Sequence, residues 1–427
     1  MNIAVKTPVE NVSELPLAEL NPAHTKRFQN DTIWPVFERL RREDPVHFTP
    51  DSEFGPYWSV TKWEDIMAVD TNHEVFSSAE GIGLAELEVM EQQEKAMAAM
   101  GQPPRSRNGA GFISMDEPEH AVHRKAVSPT VAPHNLAQMA PVVRERAGLI
   151  LDSLPIGQEF DWVDLVSKEL TAMTLATLFD FPFEQRRMLT HWSDMMTNAP
   201  GHGPVKSWEH KLTEVNACFA AFRELWNARV NAEPTFDLIS MLAHGEATRD
   251  MDVHEFNGNI GLLIIGGNDT TRNTISGSVY ALNKNPDQYD KLRADPSLIP
   301  NMVSETIRYQ TPLSYMRRRA KEDFELQGQR IKAGDKVAMW FISGNRDDTI
   351  FEDPNRFWIE RPNARRHMSF GFGIHRCMGN RAAELQLQIL WEEILKRFPK
   401  IEVVGEPERN MSNFILGYTR LPVRIPA

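Results

Sequence analysis

The segment Phe370-Gly371-Phe372-Gly373-Ile374-His375-Arg376-Cys377-Met378-Gly379 sets one of the chain's two cysteines among three glycines, directly ahead of a helical pattern. Glycine permits tight turns and close approach of backbone to a partner. A helix beginning just after the cysteine presents unpaired N–H groups and the positive end of its dipole, both of which stabilise a thiolate. A thiolate is a soft metal ligand or a nucleophile, and at this level both chemistries are open. The other cysteine, Cys218, falls in the amphipathic stretch Asn216-Ala217-Cys218-Phe219 and reads as structural.

Three further constellations carry polar chemistry. Gly266-Gly267-Asn268-Asp269-Thr270-Thr271 puts an acid and a hydroxyl inside an otherwise apolar helical stretch. A mid-helix glycine costs about 1 kcal/mol relative to alanine, so the glycine pair predicts a local opening or kink of the helix. Glu305-Thr306-Ile307-Arg308 places an acid and an arginine at i and i+3 on one helical face. His120 and Arg124 lie one turn apart on a helix, suited to an anionic partner.

The elements that must position these groups are mostly helices. Helices are expected over 34–48, 63–70, 253–283, 296–310 and 379–397, with a mostly helical pattern from 117 to about 250 broken at Pro155, Pro182, Pro204 and Pro234. The middle of the long stretch, Ile260 to Ile265, is apolar almost all round and should be buried. A small hairpin is expected over 45–61, strands at 313–320, 324–326 and 336–342, and a closing hairpin in the last 27 residues. Residues 345–376 read as an irregular meander. Residues 85–111, with Met90, Met97 and Met100 ahead of Pro103 and Pro104, read as a partly helical, mobile loop. With no repeat and no dividing linker, residues 1–30 are expected to be a polar lead-in and 31–427 a single mainly α domain with a minor β portion.

The chain of 427 residues is acidic, with net charge −12, and has no basic block, which argues against general nucleic-acid binding. Two cysteines do not make a disulfide scaffold. The start, Met1-Asn2-Ile3-Ala4-Val5-Lys6, has no apolar run after it, so neither a signal peptide nor an anchor is expected. A reducing cytoplasm with free thiols is the expected setting.

Taken together, Phe370-x-x-Gly373-x-x-x-Cys377-x-Gly379 and the other constellations, in this order, resemble the bacterial cytochrome P450 family. The stretches around Asp269, Gln310-Thr311-Pro312-Leu313-Ser314-Tyr315-Met316-Arg317-Arg318 and Trp391-Glu392-Glu393-Ile394 are similar to those of the soluble alkane and fatty-acid terminal hydroxylases. The resemblance implies a triangular helical body with small sheets, and haem b between the long buried helix and the final helix. It makes Cys377 the axial ligand of the iron, through electron-donating thiolate sulfur. It gives His120, Arg124, Arg318 and His375 to the propionates, with Phe370 and Gly371 against the haem. It assigns Asp269 and Thr270 to proton delivery during O–O cleavage, and makes Glu305, Arg308 and Arg356 a structural trio behind the cysteine loop.

The reaction so implied is hydroxylation of an unactivated C–H bond, with O2 and with electrons from a separate [2Fe–2S] ferredoxin and its reductase. The expected target is the terminal carbon of a medium-chain alkane or fatty acid. Expected pocket residues are Leu262, Leu263, Gly266, Leu313, Met316, Phe414, Ile415 and Leu416. Lys125, Arg365, Arg366, Arg376 and Arg381 could form a basic ferredoxin-docking patch. A terpenoid hydroxylase is the alternative within the family. A non-catalytic haem gas-binding protein is the alternative outside it, disfavoured because passive binding needs no acid–alcohol pair. Residues 85–111 do not match the alkane hydroxylases, which leaves substrate identity to the pocket.

Overall fold

The computed structural model describes residues 11–102 and 111–427, and its organising element is the 32-residue helix Val253–Lys284. A capping box starts it: the Asp252 carboxylate accepts from the Glu255 N–H (2.8 Å), and the Glu255 carboxylate accepts from the Asp252 N–H (3.1 Å). The helix runs unbroken through Gly266-Gly267, so the expected opening is not there. Gly267 instead serves packing, since a Cβ on it would stand 2.6 Å from the Leu175 side chain of helix Glu169–Phe179.

The two halves of this helix enter different cores. Phe256, Ile260 and Ile264 pack with Leu175, Phe179, Leu189, Trp192 and Phe222. Ile275, Val279 and Leu282 pack with Met302 and Ile307 of helix Ile299–Gln310, and with Leu387, Leu390 and Trp391 of helix Asn380–Arg397. Between the halves, Gly266, Gly267, Asp269 and Thr270 line a cavity.

A five-stranded sheet stands beside the helices, in the order Val46–Thr49, Tyr57–Val60, Lys336–Met339, Met316–Ala320, Phe76–Ser77. Its register sets Arg317 opposite Ala338 and Arg319 opposite Lys336. The expected strand 336–342 stops at Met339 and gives way to a short helix, Phe341–Gly344. The helix expected over 34–48 ends at Glu43, before Pro45, and the hairpin begins at Val46.

Two expectations need correction, and one is met in part. The segment read as a polar lead-in is built into the body from Val12 onward, with Leu20, Ala23 and Phe28 buried beside Phe37 and Trp340; residues 1–10 lie outside the described residues. The helical part expected within 85–111 is present as the 13-residue helix Leu87–Ala99, none of whose side chains is fully buried; residues 103–110 lie outside the described residues. The chain's end is not one hairpin. Glu408–Arg409 pairs with Tyr418–Arg420, but Pro422–Arg424 is the middle strand between Glu159–Asp161 and Glu402–Val403. Among the described residues, no helix is long and apolar enough to cross a membrane.

Candidate active site

The cysteine loop is shaped by its glycines and tied down by one buried acid. Gly371 and Gly373 both adopt φ of +62°. At Gly373 a Cβ would lie 2.6 Å from the Asp70 carbonyl oxygen, so only glycine fits. The loop closes with the Cys377 N–H donating to the Phe370 carbonyl (2.8 Å). The Asp70 carboxylate accepts from the Phe372 N–H (2.7 Å) and from Arg318 Nη2 (2.9 Å), joining the loop to the sheet. Nothing in the sequence marks Asp70, because its role arises only when helix Trp63–Asp70 meets the loop.

Cys377 lies deep in the molecule, yet its side chain is open to the cavity. Burial pushes its thiol up, against the N–H groups of Gly379 and Asn380 and the charges of Arg124 and Arg376, which favour the thiolate. Cys218, by contrast, is enclosed among apolar side chains and burial drives its thiol far up.

Behind the loop sits a fully buried ion network. Glu305 receives Arg308 through Nε (2.7 Å) and Nη2 (2.8 Å). It also receives Arg361 Nε (3.1 and 3.2 Å) and the Trp358 N–H (2.9 Å). Arg361 is therefore the third member of the trio, and the assignment of Arg356 is corrected. Arg356 is exposed and contributes only its carbonyl, to Arg308 (3.1 Å) and Arg361 (3.0 Å). Arg308 Nη1 also donates to the Asn345 carbonyl (2.7 Å), and the Asn345 side chain bonds the Met368 N–H (2.6 Å) and Ser369 Oγ (2.8 Å) at the head of the cysteine loop.

The cationic candidates gather on one side of the cysteine. His120 and His375 are buried with ring centroids 4.2 Å apart. His120 Nδ1 meets Glu117 (3.3 Å), while His120 Nε2 and both nitrogens of His375 are buried without a partner. Burial, then the positive charge of Arg318, depresses His375 to about 2, so it stays neutral near pH 7. Arg124 donates to the Arg376 carbonyl. Arg318 and Arg124 both line the cavity, as do Phe370 and Gly371.

On the opposite wall, Thr270 Oγ1 donates to the Gly266 carbonyl (3.0 Å). Asp269 is buried and accepts from Ser193 Oγ (3.0 Å), Asn268 Nδ2 (3.0 Å) and Arg272 Nη2 (3.0 Å). Arg272 also pairs with Asp194 (2.6 Å), which meets Lys168 at 3.3 Å. Burial, reinforced by the charge of Asp194, holds the Asp269 carboxyl above the usual range, although Arg272 opposes it. Asp194, despite burial, is held low by Arg272 and Lys168. Arg272 thus bridges the two carboxylates, with Asp194 held low and Asp269 raised. Lys168, Ser193 and Asp194 were not foreseen from the sequence.

The cavity enclosed by these walls measures about 2130 Å³. Leu262, Leu263, Gly266, Leu313, Met316, Phe414 and Ile415 all line it. Leu416 does not: it is buried in the core with Phe28 and Trp340, on the other face of the chain from Ile415. A Cβ on Gly266 would meet nothing within 4 Å. On the outer surface, Lys125, Arg365, Arg366, Arg376 and Arg381 are exposed. Three of them, Arg365, Arg376 and Arg381, surround the carboxyl of Glu384.

The residues present fit a haem. A soft sulfur donor opens into an apolar cavity, orphaned imidazole nitrogens and arginines stand to one side for two carboxylates, and a helix wall leaves space at Gly266. The family model for Cytochrome P450 matches residues 210–424. The chain is 35% identical to linalool 8-monooxygenase of Pseudomonas putida, over 91% of this chain and 94% of that one. It is 30% identical to a methyl-branched lipid omega-hydroxylase of Mycobacterium tuberculosis, over 99% of both. Among solved structures, a cytochrome P450-153 from Novosphingobium aromaticivorans superposes with a TM-score of 0.85 at 44% identity, covering 95% of this chain and 98% of that one.

Proposed function

This chain belongs to the cytochrome P450 family and is a haem b monooxygenase, and from that premise we propose that it hydroxylates the terminal carbon of a medium-chain alkane or fatty acid, with electrons from a separate ferredoxin. The bound haem supplies the iron at which dioxygen is activated. Cys377 supplies the thiolate that ligates it, in a loop fixed by Asp70 and by the Glu305–Arg308–Arg361 network. His120, Arg124, Arg318 and His375 hold the propionates. Asp269 holds a proton away from bulk water, and Thr270 Oγ1, on the cavity wall, passes it inward. The basic surface around Arg365, Arg376 and Arg381 receives the acidic face of a ferredoxin.

The observation that carries this reading is the apolar lining shared with Cys377 and Thr270. Near the reacting position the wall offers Leu, Met, Phe and Ile side chains, which suit an aliphatic chain and orient it by shape. The likeness to a relative named as an omega-hydroxylase supports attack at a chain end. A terpenoid substrate is the second reading, favoured by the 35% identity to a linalool 8-monooxygenase. Turnover with a reconstituted ferredoxin and reductase, offered alkanes, fatty acids and acyclic terpenes in parallel, decides. Terminal alcohols from the straight chains are expected; hydroxylated terpene alone would replace the first reading with the second.

A further inference from the structure

The wall of the cavity also carries charge that the reaction does not use. Arg317, Arg319 and Lys336 all line it, on adjacent antiparallel strands, with Arg319 directly opposite Lys336. Side chains two apart on a strand share a face, so Arg317 and Arg319 project to the same side. Glu80 pairs with Arg319 at 2.6 Å, and its charge also favours the charged forms of Arg317 and Lys336. Among the described residues, neither Arg317 nor Lys336 has a carboxylate within ion-pair distance. Lys336 Nζ donates to the Phe54 carbonyl (2.7 Å), and Arg317 Nη2 to the carbonyls of Glu80 and Gly81, all of them neutral acceptors. Arg317 is 5% exposed and its Nε has no partner. The position of a Cβ on Gly55 lies 3.6 Å from Lys336 Nζ and 3.7 Å from Leu87 Cδ1, which sets the ammonium beside the first residue of helix Leu87–Ala99.

Three cations gathered at a cavity wall around one carboxylate that is already paired leave an excess of positive charge, which is costly unless an anion joins them. We propose that Lys336 and Arg317 form a carboxylate site in the cavity wall, so that the natural substrate is a medium-chain monocarboxylate held by its acid end. This rests on the aliphatic reading above and narrows it from alkane or fatty acid to the acid. Met316 and Leu313, on the same chain segment, and Gly266 of the long helix line the same cavity and give the hydrocarbon its wall.

The test is a spin-state titration of the haem-loaded enzyme with dodecanoate and with methyl dodecanoate, for the unaltered protein, Lys336→Gln and Lys336→Arg. The site predicts that the unaltered protein binds the acid at least about tenfold more tightly than the ester, the order expected of one charge-assisted hydrogen bond. Lys336→Gln should lose that preference through weaker acid binding alone, and Lys336→Arg should keep most of it. Equal affinity for acid and ester in the unaltered protein overturns the proposal without needing any variant. So does a Lys336→Gln protein that weakens both ligands alike. If neither ligand shifts the spin state while a terpene does, the aliphatic reading itself fails and takes the anchor with it.

Discussion

The two sides of the cavity are built on opposite principles. Behind the cysteine, the buried charges are joined: Glu305 receives both Arg308 and Arg361, all three are wholly enclosed, and their hydrogen bonds run through Asn345 to the cysteine loop. Across from it, beyond the Asp269–Arg272–Asp194 cluster, the long helix presents an open glycine, and helix Leu87–Ala99 buries none of its residues fully. Matched buried charge fixes geometry, because a displaced partner leaves an uncompensated ion. An under-packed wall fixes little, which suits a surface that must admit and release a ligand. Fixity lies where the iron must be held, and space lies where the substrate must fit.

The contrast breaks most visibly at Glu305. Glu305→Gln strands two buried arginines and should cost about 3–5 kcal/mol in denaturant unfolding, with poor haem retention. Arg356→Ala should cost less than about 1 kcal/mol, since only its carbonyl takes part. Equal losses in the two variants would restore Arg356 to the network. On the other wall, Asp269→Asn should lower turnover by about a hundredfold or more while leaving the carbon monoxide spectrum unchanged. Burial holds this carboxyl above the usual range. The unaltered enzyme should therefore lose activity as pH rises through that raised pKa and the proton is given up, a limb the Asn variant should lack.

The adjacent glycines sharpen the comparison at single-residue scale. Gly267→Ala drives a methyl into Leu175 and should destabilise by about 1–3 kcal/mol. Gly266→Ala meets open space and should stabilise the helix by up to about 1 kcal/mol, yet weaken substrate binding in a spin-state titration. Smallest of all, Arg365→Glu with Arg381→Glu should reduce ferredoxin-dependent turnover a few-fold at low ionic strength, with the difference fading at high salt. Unchanged turnover at low salt would remove this surface from the docking account.

What the sequence disclosed follows the same division. The cysteine loop, the acid–alcohol pair and Glu305–Arg308 are short-range patterns, with chemistry and spacing inside one element. The partner of Glu305 was missed because Arg356 and Arg361 sit five residues apart in an irregular meander, where no period says which side chain turns inward. Asp70 was invisible because its partners, Phe372 and Arg318, come from distant segments. Leu416 was misplaced by treating three neighbours as one surface, when Phe414 and Ile415 line the cavity and Leu416 enters the core beside Phe28 and Trp340. The glycine pair read as a break is a close helix contact plus a vacancy in the lining, a distinction that needs the neighbouring helix to be seen.

The central claim is that Cys377, and not Cys218, binds the iron. The most direct measurement is the reduced carbon monoxide difference spectrum of haem-loaded protein, taken for the unaltered chain, Cys377→Ala and Cys218→Ala. The account predicts the red-shifted Soret band of a thiolate-ligated carbonyl haem in the unaltered chain and in Cys218→Ala, and its loss in Cys377→Ala. That band persisting in Cys377→Ala would contradict it.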